Sequence, residues 1–328
     1  MIDIAHATDH DIHENVEEFR AALKAQEPKL RNPTIERVLL AVDQSNQGRT
    51  SERFASVFAR TNKARILLIY AYEGVRNSEC EKYLAARAQA LTEADIELEP
   101  LDEPIRTEHG LRSFEQILQT AETKECDLIV VPAPYLDDYV KLGCESVGVN
   151  LDILMSRSNV PLLVVRDPKI DPEESLKTVF LLVTPHSNSA DIPAAWALKL
   201  AKSEGILHCV AVADPSELKE LGEIRDLDIA EIDLKIAAGL THPKTAGLIG
   251  ALQRQASERS LNCHVSVHSH ADLVSLMKDD NDDSRLFVLG SSTDSESLVF
   301  QRIQTLIRTS RNPVLLVTKS SRNDTVTL

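Results

Sequence analysis

Val38-Leu39-Leu40-Ala41-Val42, closed by Asp43-Gln44-Ser45-Asn46, is the first strongly apolar run of the chain, and the fold turns on how it is read. Five aliphatic residues without polar alternation suit a strand buried on both faces of a parallel sheet, and the polar cluster behind them suits a turn into a helix. The run returns as Val179-Phe180-Leu181-Leu182-Val183.

Working outward from the first run, the periodicity predicts a helix from about Thr50 to Thr61, a strand Ile66 to Tyr70, and a helix from about Glu79 to Glu93. An alternating edge strand Ile96-Glu97-Leu98-Glu99 follows. A helix Ser113 to Lys124, the run Leu128-Ile129-Val130-Val131, a long loop, a helix ending near Arg157 and Pro161-Leu162-Leu163-Val164-Val165 complete a unit of five strands and four helices. After the second run come a helix around Ala190 to Lys202, a strand Ile206 to Val212 and a helical stretch ending near Arg259. Then follow an alternating strand Cys263 to His268, Leu286-Phe287-Val288-Leu289, a helix around Leu298 to Arg308 and Pro313-Val314-Leu315-Leu316-Val317.

The two series are one unit used twice. Their closing corners match best: Ser156-Arg157-Ser158-Asn159-Val160-Pro161-Leu162-Leu163-Val164-Val165 against Ser310-Arg311-Asn312-Pro313-Val314-Leu315-Leu316-Val317. Residue 180 minus 38 gives an offset of 142 at the first strand, and 313 minus 161 gives 152 at the last, a net gain of about ten residues in the second copy. That gain maps to Asp214 through Gly247, an acid-rich stretch with a helical apolar pattern, which reads as a solvated helix rather than an acidic docking surface. The proline-punctuated connector Asp167-Pro168-Lys169-Ile170-Asp171-Pro172 separates the copies. The expected organisation is an amphipathic helix and linker over 1–35, a first domain over 36–168, a linker over 169–176, a second domain over 177–319 and a tail over 320–328.

Composition bounds the function. At 328 residues two cores are expected, and 43% hydrophobic with 27% charged residues is ordinary for globular chains. A net charge of -15 would repel a phosphate backbone, so nucleic acid is not an expected partner. No apolar run approaches the roughly 18 residues a bilayer requires, and Met1 to Asp11 has neither a basic nor an apolar leader region, so neither membrane insertion nor export is expected. Five scattered cysteines without a Cys-x-x-Cys pair fit a reducing cytoplasm.

A first strand ending in Val-Asp-x-Ser, the alternating order of strands and helices, a fourth strand Asp127-Leu128-Ile129-Val130-Val131 and a last helix turning through a proline corner into Leu162-Leu163-Val164-Val165 together resemble the universal stress protein family in its tandem form. The resemblance covers roughly residues 36–168 and 177–319. It implies two doubly wound α/β domains, each a five-stranded, mainly parallel sheet in the order 3-2-1-4-5 with helices on both faces. It also implies that the fifth strands, Leu162 to Val165 and Val314 to Val317, pack antiparallel within the chain as a pseudo-dimer, with homodimers of the whole chain as a further option.

Nucleotide-binding members of that family hold ATP with a loop Gly-x-x-Gly, nine residues, then Gly-Ser or Gly-Thr, behind the fourth strand. Glycines there let backbone amides approach phosphates, and the next helix N-terminus favours their charge. In the first copy the loop is Pro132-Ala133-Pro134-Tyr135-Leu136-Asp137-Asp138, which removes amide donors and adds carboxylates. Gly148-Val149 falls where the Gly-Ser pair is expected, while Gly143-Cys144 or Glu145-Ser146 could fill it if the helix is longer. Asp43 and Ser45 fit the end of the family's first strand, where the aspartate lies near the adenosine of ATP, although Asp-x-Ser also caps a helix. The second copy has no aspartate in Thr184-Pro185-His186, but Gly290-Ser291-Ser292-Thr293 offers backbone and hydroxyls to a small anion, or caps the next helix. Asp294 and Glu296 oppose a highly charged ligand there.

His264, Ser266, His268 and His270 alternate and so share one strand face. Same-face neighbours stand about 6.8 Å apart, which disfavours one metal held by all three imidazoles and favours a polar edge face. No nucleophile elbow, Walker loop or His-Glu-x-x-His is present in the sequence. The expected function is therefore a non-catalytic cytoplasmic stress or regulatory protein acting through protein contacts or self-association, with no cofactor. The alternative is a switch that takes ATP or AMP near Asp43 or Gly290.

Overall fold

The computed structural model describes residues 28–70, 78–101, 113–133, 149–183, 190–212, 243–268, 273, 275–277, 284–291 and 298–318. The helix expected over Asp11 to Gln26 and most of the acidic stretch from Asp214 lie outside them. In chain order the first copy supplies β1 (Arg37–Val42), α1 (Asn46–Asn62), β2 (Arg65–Tyr70), α2 (Ser78–Glu93), α3 (Ser113–Thr123), β3 (Leu128–Pro132), α4 (Val149–Arg157) and β4 (Leu162–Val165). A one-turn helix α5 (Pro172–Ser175), started by the Asp171 carboxylate on the Glu173 and Glu174 amides, occupies the connector. The second copy supplies β5 (Thr178–Val183), α6 (Asp191–Leu200), β6 (Ile206–Val212), α7 (Pro243–Glu258), β7 (Asn262–His268), β8 (Leu286–Ser291), α8 (Leu298–Thr309) and β9 (Val314–Thr318).

All nine of these strands form one sheet, in the order β2-β1-β3-β4-β9-β8-β5-β6-β7. Pairing is parallel within each copy and antiparallel only where β4 meets β9, the expected meeting of fifth strands. Aliphatic side chains alternate between two cores. One face carries Val38, Leu40, Leu181 and Val288 beneath α1, α2, α6 and α7; the other carries Leu39, Ile129, Phe180 and Phe287 beneath α3, α4 and α8. Burial on both faces is why the strands read as unbroken apolar runs.

One expected strand is reduced. Ile96 to Glu99 makes a single parallel bridge, Ile66 to Leu98, through Ile66 N to Glu97 O (2.9 Å) and Glu99 N to Ile66 O (3.0 Å). Glu97 and Glu99 are drawn to Arg65 and Arg37. Pro100 then fixes a φ away from strand values, so the first copy's outermost strand stays a bridge while its counterpart β7 pairs along seven residues.

The register also corrects the repeat offset. Ile129 stands between Leu39 and Leu162, and Phe287 stands between Phe180 and Val314. Phe180 is thus the counterpart of Leu39, and 180 minus 39 is 141, one less than the sequence alignment suggests. With Leu98 matching Cys263 across the third strand, 263 minus 98 is 165, so the second copy gains 24 residues between β6 and β7.

A pseudo-two-fold axis relates the copies. Leu163 pairs with Leu315, its own counterpart at offset 152, while Leu162 pairs with Leu316 and Val164 with Val314. On the same axis Gln304 of α8 donates to the Asp152 carboxylate of α4 at 2.7 Å, and 304 minus 152 is again 152. Both copies close the last helix in the same way. Ser158 Oγ donates to Val160 O (2.6 Å) and accepts from Val160 N (3.2 Å); Ser310 Oγ does so with Asn312 O and N (3.0 and 3.1 Å).

Candidate functional site

In a doubly wound sheet, ligands bind outside the carboxyl ends of the strands where the helices change face, and here that point lies between β1 and β3 and between β5 and β8. Ile129 N and Ala133 N donate to β4, to Pro161 O and Val165 O (both 2.9 Å). Strand alternation therefore turns residues 130 and 132 toward β1. Pro132 has no N–H to give, and pairing of β1 with β3 stops at Leu40 and Val130. The counterpart of Pro132 is Gly290, which keeps its amide, and pairing of β5 with β8 runs one residue further, to Leu182 and Leu289. The crevice of the first copy thus opens a step earlier because of a proline.

Asp43 stands at the mouth of that crevice, at the carboxyl end of β1, and is half-buried. Its Oδ1 accepts from Ser45 N (3.0 Å) and from Ser45 Oγ, while Ser45 Oγ accepts from Gly48 N (3.0 Å) as the cap of α1. Gly48 is buried against Asp43: a Cβ there would lie 2.8 Å from the Asp43 carbonyl oxygen. That same carbonyl accepts from the Tyr83 hydroxyl of α2 at 2.7 Å. Tyr83 meets Tyr70 of β2 edge to face, with ring centroids 5.8 Å apart. Burial is the main cause that pushes both phenols above their ordinary pKa, so both remain neutral donors. Asp43 and Ser45 therefore come together, as the spacing suggested, but as a closed capping unit in which one carboxylate oxygen already accepts two hydrogen bonds.

In the second copy Gly290 and Ser291 are the last two residues of β8, paired with Val317 and Thr318 of β9. They belong to the sheet ladder rather than to a loop. Six residues separate Ser291 from Leu298, where α8 begins. Counted from Gly290, the family's loop spacing would put its second pair at Ile303-Gln304, inside α8. Gly148 and Ser292 lie outside the described residues. So does His270, whereas His264 and His268 are on β7, with His268 Nε2 3.1 Å from Ser266 Oγ. Among the described residues no cluster of three or more metal-ligating side chains occurs, and no helix is long and apolar enough to cross a membrane.

No protein-family model matches the chain, and no curated protein matches it significantly. Among solved structures, a universal stress protein from Archaeoglobus fulgidus DSM 4304 aligns with 87% of this chain and 97% of its own, at 15% identity and a TM-score of 0.55. A protein of unknown function from Pseudomonas aeruginosa PAO1 aligns over 91% of this chain and 95% of its own, at 16% identity and a TM-score of 0.56. A provisionally named universal stress protein from Pseudomonas aeruginosa UCBPP-PA14 aligns with the same figures. The chain has the tandem universal stress protein fold. At these identities the likeness concerns architecture, and the site has to be read from this chain's own residues.

Within the universal stress protein fold, sequence reasoning missed Tyr83 and Tyr70, which lie 40 and 27 residues beyond Asp43 and carry no local motif. A signal for Gly48 was present, since a glycine three residues after a capping serine is buried under the strand end.

Proposed function

We propose that the protein is a non-catalytic cytoplasmic regulatory protein of the stress-response type, in which the nucleotide sites of both copies have degenerated and which acts through protein contacts. The observation that carries this reading is Pro132, which removes the amide at the switch point of the first copy. Two others agree with it: the Asp43 carboxylate is bound to Ser45, and only six residues connect β8 to α8. A polyphosphate would find no amide at Pro132 and would meet a chain of charge -15. Calorimetric titration of the full chain with ATP, ADP and AMP tests the reading. No stoichiometric heat is expected at micromolar nucleotide; one nucleotide bound per chain at that level would overturn it.

A second reading rests on the aromatic corner. Tyr70 and Tyr83 beside Asp43 form an apolar, hydrogen-bonding wall suited to a purine with few phosphates, and AMP or ATP there would make the protein a ligand-responsive switch. Tyr83→Phe separates the two, since it would weaken AMP only if the corner holds the base.

A further inference from the structure

Across β8, β5, β6 and β7 four rings stand in one row at directly paired positions: Phe287, Phe180, His208 and His264. Ring centroids are 5.2 Å apart between Phe287 and Phe180, 4.4 Å between Phe180 and His208 and 5.4 Å between His208 and His264. The Phe180 and His208 planes differ by 13° and the two imidazole planes by 25°. Phe180, His208 and His264 stack along the direction that crosses the strands, with Phe287 tilted 38° to Phe180, so the stacked rings turn edges rather than faces to the space above the sheet. Above them lies an open groove of about 640 Å³, floored by Phe180, His208 and Ile206, walled by Leu276 and rimmed by His268 and Arg285. The Arg285 guanidinium stands 5.6 Å from the centre of the Phe180 ring. Glu174, also on the rim, is held by Lys177 at 2.7 Å.

The duplicate shows that the fold does not require this row. At the equivalent positions the first copy has Ile129, Leu39 and Leu67, all fully buried, and Glu99, which is half-buried and paired with Arg37. Burial first, then His264 and Arg285, hold the His208 pKa below its ordinary value, which keeps the ring neutral. Leu67 fills the equivalent place in the first copy, so packing alone does not call for an imidazole.

We propose that this groove binds a small aromatic anion, its ring lying over the edges of Phe180 and His208 and its anionic group meeting Arg285. Aromatic edges carry positive potential and prefer the π face of a partner ring, which gives the floor its selectivity for planar aromatic bodies. A guanidinium is suited to carboxylate and phosphate alike. The volume is that of a site for a small organic molecule rather than for an inorganic ion. The groove runs along the sheet face from the amino ends of β5 and β6, at Thr178 and Ile206, so it is separate from the crevice at Asp43 and Gly290 and does not rest on the nucleotide reading.

Calorimetric titration of the full chain with benzoate and phenyl phosphate tests the proposal, with cyclohexanecarboxylate and inorganic phosphate as comparisons. One site per chain is expected for at least one aromatic anion, the stronger of the two naming the head group, and the non-aromatic anions are expected to bind about fivefold more weakly or less. Arg285→Gln should weaken the aromatic anion about tenfold or more. His208→Leu, which installs the first copy's residue, should weaken it while leaving the circular dichroism spectrum and, above pH 6.5, the melting temperature intact. Absence of binding by both aromatic anions, equal binding of cyclohexanecarboxylate, or wild-type affinity in both variants would each overturn it.

Discussion

Gly48→Ala sets two effects of opposite sign against each other inside α1. Alanine in a helix interior is worth about 1 kcal/mol over glycine, so helix propensity alone makes the variant more stable. The new Cβ, however, would stand 2.8 Å from the Asp43 carbonyl oxygen and would also press on the Asp43 carboxylate. Neither group can yield freely: the carbonyl is held by the Tyr83 hydroxyl at 2.7 Å, and the carboxylate is held by Ser45 N at 3.0 Å and by Ser45 Oγ. Relief at the carbonyl needs a shift from 2.8 to at least 3.4 Å, or 0.6 Å, and relief at the carboxylate needs more. Overpacking of that kind costs about 1–3 kcal/mol, and loss of the Ser45 cap would add about 1 kcal/mol. The steric side wins, and a net loss of about 1–3 kcal/mol is expected in urea unfolding followed by far-UV circular dichroism. Adding Tyr83→Phe frees the carbonyl, so the double variant should lose less than the sum of the singles. Gly48→Ala at or above wild-type stability would refute the claim that the β1 corner is rigid.

Arg166 of the first copy is buried and donates to Ile307 O and to Ser310 O (2.6 Å), capping α8 across the pseudo-axis; its counterpart Thr318 is buried with no partner for Oγ1. Arg166→Met should therefore lose about 2–4 kcal/mol and Thr318→Val less than about 1 kcal/mol, and equal losses in chemical denaturation would sink the asymmetry. Because the folded pKa of His208 lies below its ordinary 6.5, the unfolded chain binds more protons just below that pH, so this group's effect is absent above pH 6.5 and erodes stability as pH falls beneath it. Melting curves of His208→Leu should show a shallower decline from pH 7 to 5 than wild type, and parallel curves would contradict the assignment. Burial pushes the Cys209 thiol up, so a disulfide reagent should modify it only as fast as the chain unfolds; rapid labelling in native buffer would show the β6 core to be open.

Much of the fold is legible in the sequence because strands buried on both faces must be aliphatic throughout, and the aliphatic runs, from Val38 to Val42 through Val314 to Val317, lie in the sheet. The same property hides register. An unbroken run can slide by one residue without changing its appearance, although the slide exchanges its faces, and that is how Val38 was matched to Phe180 in place of Leu39. The polar site was legible where contacts are local, as in Asp43 with Ser45. It was not legible where strands separate in sequence bring side chains together, as with Tyr83 on Asp43 or the row from Phe287 to His264. The alternation of His264, Ser266 and His268 was visible, but His208, which stacks on His264, sits alone among aliphatic residues.

The positions on the pseudo-axis explain why the two halves could diverge so far elsewhere. In a symmetric dimer a residue on the axis meets itself, so a first copy paired with its own kind would set Asp152 against Asp152, a like-charge contact. Here Asp152 meets Gln304, which donates to it at 2.7 Å, and the neighbouring Leu163 meets Leu315, which serves either arrangement. Away from the axis Asp167 of the first half binds Arg311 of the second, with Asp167 almost wholly buried. The on-axis pair of Asp152 with Gln304 is an unlike pair, available only where the two partners are different sequences. Covalent fusion supplies that condition, so the interface commits each half to the other and removes the need for either to remain self-complementary. Away from that axis the copies differ at the switch point and on the face of β5, β6 and β7: proline against glycine at residues 132 and 290, and leucine against histidine at residues 67 and 208.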